Sequence, residues 1–259
     1  MEIFNKFGLL ATLFSVGFIG TSHSQVNKVP SEIIQAVHEI SPDGGTHFGA
    51  CIIVSVDSVN YIITARHLLN SILDQKDISF YINRKAKWEL LKGKLLLHEN
   101  SKIDIAVIQL EQKGVVFHVS NFDIGSKNYF ASQECFFLGY PYGKKVEDVS
   151  NSFNDGFPVP FIKKGIVSAF TFEENGAVAE IFVDATNNSG FSGGPVVVRN
   201  EVGINNKFEM RLIGIVSGYL SEPRRVPLKS GEVVVVPENS GIMCSVPINY
   251  ALDIIKRTR

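Results

Sequence analysis

Short apolar runs recur along the chain, broken by Gly, Pro, Asn and Asp. They include Ala50–Val56, Tyr61–Thr64, Ile78–Ile82, Leu90–Leu97, Ile105–Gln109 and Cys135–Leu138. Gly165–Phe170, Ile181–Asp184, Pro195–Val198, Arg211–Ser217 and Val233–Val236 continue the series. Their richness in Val, Ile and Phe predicts β-strands. Two segments carry helical spacing instead: Ser31–Ile40, with Ile33, Ile34, Val37 and Ile40, and Pro247–Arg257, with Ile248, Ala251, Leu252 and Ile255. The pattern predicts an all-β protein of sandwich or barrel type with a C-terminal helix. The polar stretch Asn121–Asn128 falls near the middle and is expected to link two β units. Tyr140–Phe161, Ser221–Gly231 and Pro237–Gly241 read as loops, and long loops on a β scaffold often carry function.

Composition narrows the choice. The chain has 259 residues and is 45% hydrophobic, which suits a packed globular protein and excludes disorder over most of its length. Lys and Arg number 25 against 26 Asp and Glu, so no global charge draws it to nucleic acid or an anionic membrane surface. Near the N-terminus, Lys6 precedes the uncharged run Phe7–Gly20, and Ser22-His23-Ser24 follows. That run is shorter than the roughly 20 residues a spanning helix needs. The three-part plan is that of a secretory signal peptide, residues 1–24, cleaved near Ser24. Export to the periplasm or the medium is therefore expected for residues 25–259, with no membrane span after cleavage. Three cysteines cannot all pair. Cys51 and Cys135 lie in apolar runs and are expected as core thiols. No His or second Cys stands at zinc-site spacing, so neither a metal nor a cofactor is expected.

Three segments carry chemistry. Asn188-Ser-Gly-Phe-Ser192-Gly-Gly-Pro195 sets a serine among glycines. A serine hydroxyl needs a base to take its proton and backbone N–H groups aimed at the developing oxyanion. Gly190 permits the second requirement, and Gly193 and Gly194 leave room for a substrate backbone. His67, in Thr64-Ala65-Arg66-His67 at a strand end, is the candidate base. Asp104, in Lys102-Ile-Asp-Ile-Ala-Val107, breaks an apolar run, where a carboxylate is costly unless paired. Bonded to a histidine ring it would fix the tautomer. Asp184 is the rival acid.

The order His67, Asp104, Ser192 and the sequence around each resemble the trypsin-like (chymotrypsin-fold) serine peptidases, most closely the bacterial Deg/HtrA-type branch. Gly165-Ile-Val-Ser-Ala169 and Val246-Pro-Ile-Asn249 add to the likeness, which runs from about Phe48 to Ile255. The resemblance implies two six-stranded antiparallel β-barrels, at about 45–120 and 129–246, with a terminal helix at about 247–257. It implies a catalytic triad of His67, Asp104 and Ser192, with the Gly190 and Ser192 N–H groups as oxyanion hole. It places Thr186 at the base of the primary specificity pocket, and Ser217, Gly218 and Tyr219 beside the substrate backbone. The implied partner is a polypeptide substrate, and oligomeric state is left open. Uncharged Thr186 gives no support to a Lys or Arg preference; small or medium apolar residues before the cut are expected.

Some positions depart from the family pattern. Phe191 stands where trypsin-type enzymes have Asp and the Deg/HtrA branch usually Asn, so activation by a new amino terminus is not expected. Leu68 replaces a Cys, which leaves Cys51 without its usual partner. A PDZ domain after the terminal helix, as in full-length Deg/HtrA proteins, is not expected. Arg66 replaces a small residue. Phe191 also motivates an alternative to the exported endopeptidase: a silent or dormant module that binds a peptide or partner in the cleft.

Overall fold

The computed structural model describes residues 29–111, 123–124, 129–148, 153–202 and 207–258. Six strands form a first, closed antiparallel barrel: β1 (Val37–Ser41), β2 (Gly49–Val56), β3 (Val59–Thr64), β4 (Asp77–Arg84), β5 (Lys87–Leu97) and β6 (Ala106–Leu110). Their order is β1-β2-β3-β6-β5-β4, and β4 closes on β1 through Ile40↔Ile82. The second unit holds β7 (Asp123–Ile124), β8 (Glu134–Gly139), β9 (Phe161–Phe172), β10 (Val178–Asp184), β11 (Pro195–Val202), β12 (Lys207–Pro227) and β13 (Val233–Pro247). Here β11-β8-β9-β10-β13-β12 are antiparallel neighbours and β12 pairs back onto β11, while β7 adds in parallel to β12. The protein is thus all-β, with helices α1 (Ser31–Gln35) and α2 (Asn249–Arg257) at its two ends.

Three apolar clusters explain why the strands read as unbroken apolar runs. In β2, Cys51 and Ile53 face the interior of the first barrel with Phe80 and Leu69. Ile52 and Val54 face the opposite way, into a cluster shared by both barrels and α2. That shared cluster joins Ile63 and Val107 to Phe136, Leu138, Val197 and Leu212, and α2 closes it with Tyr250, Ala251, Ile254 and Ile255. The second barrel has its own interior, around Phe137, Val183, Phe191 and Ile213. A strand buried on both faces loses the alternation that marks a half-exposed one.

The expected helix Ser31–Ile40 is corrected. Only Ser31–Gln35 is helical, and the first barrel begins at Val37, not near residue 45. Val37 enters the shared cluster and Ile40 the barrel interior, on opposite faces of a fully buried strand. Apolar residues on both faces of a strand mimic a helical repeat over so short a span. The segments 221–231 and 237–241, expected as loops, are corrected too. Residues 221–227 and 233–239 pair as the outer part of a long β12–β13 hairpin. Pro223 lies opposite Pro237, on a ribbon whose outer edges need no partner, so the missing N–H groups do no harm. The loop 140–161 carries a 3-10 turn at Pro141–Gly143 and a bridge between Val146 and Val159. The leader and most of Asn121–Asn128 lie outside the described residues.

Candidate active site

His67 and Asp104 meet because their strands are neighbours. Thr64 at the end of β3 pairs with Ala106 at the start of β6. His67 sits on a 3-10 helix, Arg66–Ile72, that follows β3, and Asp104 stands just before β6. Asp104 receives two bonds from one residue. The His67 backbone N–H donates to Oδ1 at 2.8 Å, and His67 Nδ1 lies 2.7 Å from Oδ2. The Ser217 hydroxyl donates to the same Oδ2 at 2.6 Å. Burial raises the Asp104 carboxyl, but the bonds from the His67 ring, the Ser217 hydroxyl and the His67 N–H outweigh it and hold the group below its ordinary value. With Nδ1 turned to a carboxylate, Nε2 is the ring atom left to accept a proton.

Ser192 comes from the second barrel, on the turn before β11. Its carbonyl accepts from Ala50 N on β2 at 2.8 Å, which ties the turn to the first barrel. The next N–H, of Gly193, donates to Val216 O at 2.8 Å. Gly193 has φ +82°, and a Cβ there would meet Ala50 O at 2.0 Å. Gly190 is equally constrained: φ is +98°, and a Cβ would lie 2.0 Å from Tyr140 O. Its carbonyl accepts from Tyr140 N at 2.9 Å, the Ser189 carbonyl from Tyr142 N at 2.7 Å, and the Asn188 carbonyl from Phe191 N at 3.2 Å. Among the described residues, the N–H groups of Gly190 and Ser192 donate to no protein acceptor. The Ser192 hydroxyl makes a long bond of 3.4 Å to Ser217 O and none to His67.

A cavity of about 470 Å³ opens beside these groups. Ser189, Gly190, Ser192 and His67 line it, together with Thr46, His47, Phe48, Leu68 and Asn70. Thr186 and the Ser217–Tyr219 segment lie outside its lining. Ser217, Gly218 and Tyr219 belong to β12, where Gly218 pairs with Cys244 and Tyr219 with Met243. Asn187 bridges the two segments, donating from Nδ2 to Gly218 O at 2.9 Å. Thr186 is exposed, and its carbonyl accepts from Lys163. Asp184, the rival acid, is exposed on β10 and takes no part in these contacts.

Against these observations the chain matches the trypsin-like peptidase domain family over residues 49–202. The chain belongs to the trypsin-like peptidase family. No protein among the curated sequences matches it. Similar folds occur in the HtrA-type protease AlgW, described with a tripeptide, at 20% identity and a TM-score of 0.52, covering 87% of this chain and 60% of that one. Deg5 is similar at 17% identity and a TM-score of 0.52, covering 86% and 88%. The serine endoprotease from Yersinia pestis is similar at 20% identity and a TM-score of 0.50, covering 89% and 67%. This trypsin-like peptidase chain therefore spans 60% of the length of the AlgW chain.

Two departures of this family member resolve into packing. Phe191 is fully buried in the second barrel, its ring edge-on to Phe137 with centroids 5.0 Å apart. An apolar side chain thus anchors the turn. The partner of Leu68 is Gly49 and not Cys51, since a Cβ on Gly49 would meet Leu68 Cδ1 at 2.4 Å. Cys51 points into the first barrel, and all three cysteines are buried free thiols. Arg66 turns aside, its guanidinium 3.4 Å from His98 O. Sequence reasoning missed the Ser217 bond to Asp104, the Asn187 bridge and the part of Lys163. The sequence signal for the last is a lysine pair, Lys163-Lys164, inside a largely apolar strand.

Proposed function

We propose that this chain is an exported serine endopeptidase that cleaves polypeptides through an acyl-enzyme. Ser192 Oγ attacks the scissile carbonyl carbon while His67 Nε2 takes its proton. Asp104 holds the ring and stabilises the imidazolium that forms. The N–H groups of Gly190 and Ser192 receive the oxyanion. The tetrahedral intermediate collapses, the C–N bond breaks, and His67 returns the proton to the leaving amine. Water then attacks the ester with His67 again as base, releasing the acid and restoring Ser192. The observation that carries this reading is the pair of hydrogen bonds from His67 to Asp104, with His67 lining the same cavity as Gly190 and Ser192, whose N–H groups are uncommitted. Export rests on the N-terminal pattern of Lys6, Phe7–Gly20 and Ser22-His23-Ser24.

A second reading, a silent peptide-binding module on the same fold, has one observation in its favour: Ser192 is bonded to Ser217 O and not to His67. Catalytic hydrogen bonds are often loose before substrate arrives, so this does not displace the first reading. Reaction with a fluorophosphonate, mapped by mass spectrometry, separates the two. The expected result is rapid labelling at Ser192 that is lost in Ser192→Ala and in His67→Ala. Folded protein that stays unlabelled would favour the silent module.

A further inference from the structure

Lys163 stands where a lysine is least expected. In β9 the residues 165 and 167 are buried, and Lys163 continues that inward row, opposite Phe137 of β8. Lys163 itself is half-buried at the open end of that row, where its ammonium is partly desolvated and gains from polar partners. Its Nζ lies 2.5 Å from the Thr186 carbonyl oxygen and 3.0 Å from Asn188 Oδ1. The same ammonium sits 5.5 Å above the centroid of the Phe191 ring. One side chain therefore grips the 186–191 segment at three points. Asn188 extends the grip, its Nδ2 donating to the Tyr142 hydroxyl at 3.1 Å.

We propose that the Lys163 ammonium is a positioning group for the oxyanion turn, fixing the segment that presents the Gly190 and Ser192 N–H groups. The inference rests on the serine endopeptidase reading. Gly190 is held from one side by Tyr140 N on its carbonyl, and at its φ of +98° a glycine has other backbone conformations open to it unless its neighbours are fixed. On its other side Asn187 is tied to Gly218 O and to Asn239, and Lys163 adds the bonds that hold Thr186 and Asn188. Its charge matters as well as its length: an ammonium polarises two oxygens and is drawn to the face of Phe191.

No carboxylate answers this charge. Among the described residues Lys163 has no ion pair. On its own strand Lys164 is bound to Glu134 of β8. Asp184 at the end of β10 is exposed, residues 185–192 carry no charged side chain, and Tyr142 is reached only through Asn188. Burial lowers the Lys163 ammonium below the ordinary lysine value. The brace is thus intact at neutral pH and is released as pH rises through that lowered value.

The test measures the second-order rate of fluorophosphonate labelling of the full chain from pH 6 to pH 11, with thermal melting on the same samples. Lys163→Met removes the charge at similar length. It is expected to label at least about tenfold more slowly, a fraction of what loss of an oxyanion-hole donor costs. Lys163→Arg is expected to recover most of the rate. It is also expected to lose the alkaline fall, since a guanidinium keeps its proton above about pH 12. A folded Lys163→Met chain that labels at the unsubstituted rate overturns the brace and leaves the peptidase reading standing. So does an alkaline profile of Lys163→Arg that superimposes on that of the unsubstituted chain. If Lys163→Met does not fold, the Lys163→Arg profile decides alone. Failure of the unsubstituted folded chain to label overturns the peptidase reading, and the brace with it.

Discussion

Asp104 satisfies three donors from two elements, and this concentration of bonds has a pH consequence. Its carboxyl is held below its ordinary value in the folded state. Such a group contributes stability that is present above the unfolded value of about 3.9 and is lost as pH falls through the lower folded one. Asp104→Asn removes that contribution, so melting temperature measured from pH 7 to pH 2 should fall less steeply in the variant. The same substitution leaves the His67 ring without its acceptor and in the wrong tautomer, and a loss of about 10⁴-fold in turnover is expected. Labelling rates at pH 7 check this. The approach of His67 to Asp104, with His67 and Ser192 lining one cavity, was legible because the proposed nucleophile, base and orienting acid need particular residue types in particular local settings. Lys163 and Asn187 were not, because their roles arise from which strand ends the barrel mouth brings together. Phe191 read as a defect in sequence, since only the fold shows the aromatic cluster that receives it.

At the scale of elements, the outer part of the β12–β13 hairpin stands apart. Residues 221–227 and 233–239 pair with one another, and nearly all of 221–238 is exposed. A two-stranded ribbon alone is marginal in water. Its one ion pair in this stretch, Arg224 with Glu238 at 2.8 Å, is exposed and contributes little. Replacing 223–237 by a short glycine-containing turn, with Asn239 retained, should therefore change the melting temperature by no more than about 2 °C, the equivalent of roughly 0.5 kcal/mol. Scanning calorimetry of the trimmed chain checks this, and a large fall would mean that the ribbon supports the barrel. Asn239 is kept because its amide donates to Asn187 O beside the site. Most strands were legible from their β-branched runs. The turns between them were less so. The β2–β3 hairpin turns on Asp57-Ser58 and the β4–β5 hairpin on Lys85-Ala86, all at positive φ and none of them glycine. Such tight turns carry no glycine signal in sequence, although the right-handed twist of the flanking strands favours them.

At the scale of the molecule, the two barrels are joined by the shared apolar cluster and by a few buried polar links across it. The Tyr140 hydroxyl, from the end of β8, donates to Val37 O on β1 at 2.9 Å. Lys145, also from the second half, pairs with Glu39 of β1 at 2.7 Å, the Glu39 side chain being 2% exposed. Burial raises the Glu39 carboxyl despite this partner. A carboxyl raised in the fold favours folding at low pH and loses that advantage as pH rises through the folded value. Lys145→Met leaves the carboxylate unpaired, at a cost of about 3 kcal/mol at pH 7. For a chain of this size that is a fall of about 10 °C. The deficit should shrink toward pH 4, where Glu39 is protonated, and melting curves at the two pH values test it. Two β units and a closing helix were legible from the runs. The shared cluster was not, because nothing in a linear apolar run tells which face meets the other barrel. The three thiols give this architecture an unplanned use. Cys51 lies in the first barrel, Cys135 and Cys244 in the second, and burial pushes the latter two up to about 12. A thiol so shielded is deaf to alkylating reagents until its own strand parts from its neighbours. Timed alkylation followed by peptide mapping would thus read the order in which the halves come undone, from sentinels that the native chain already carries.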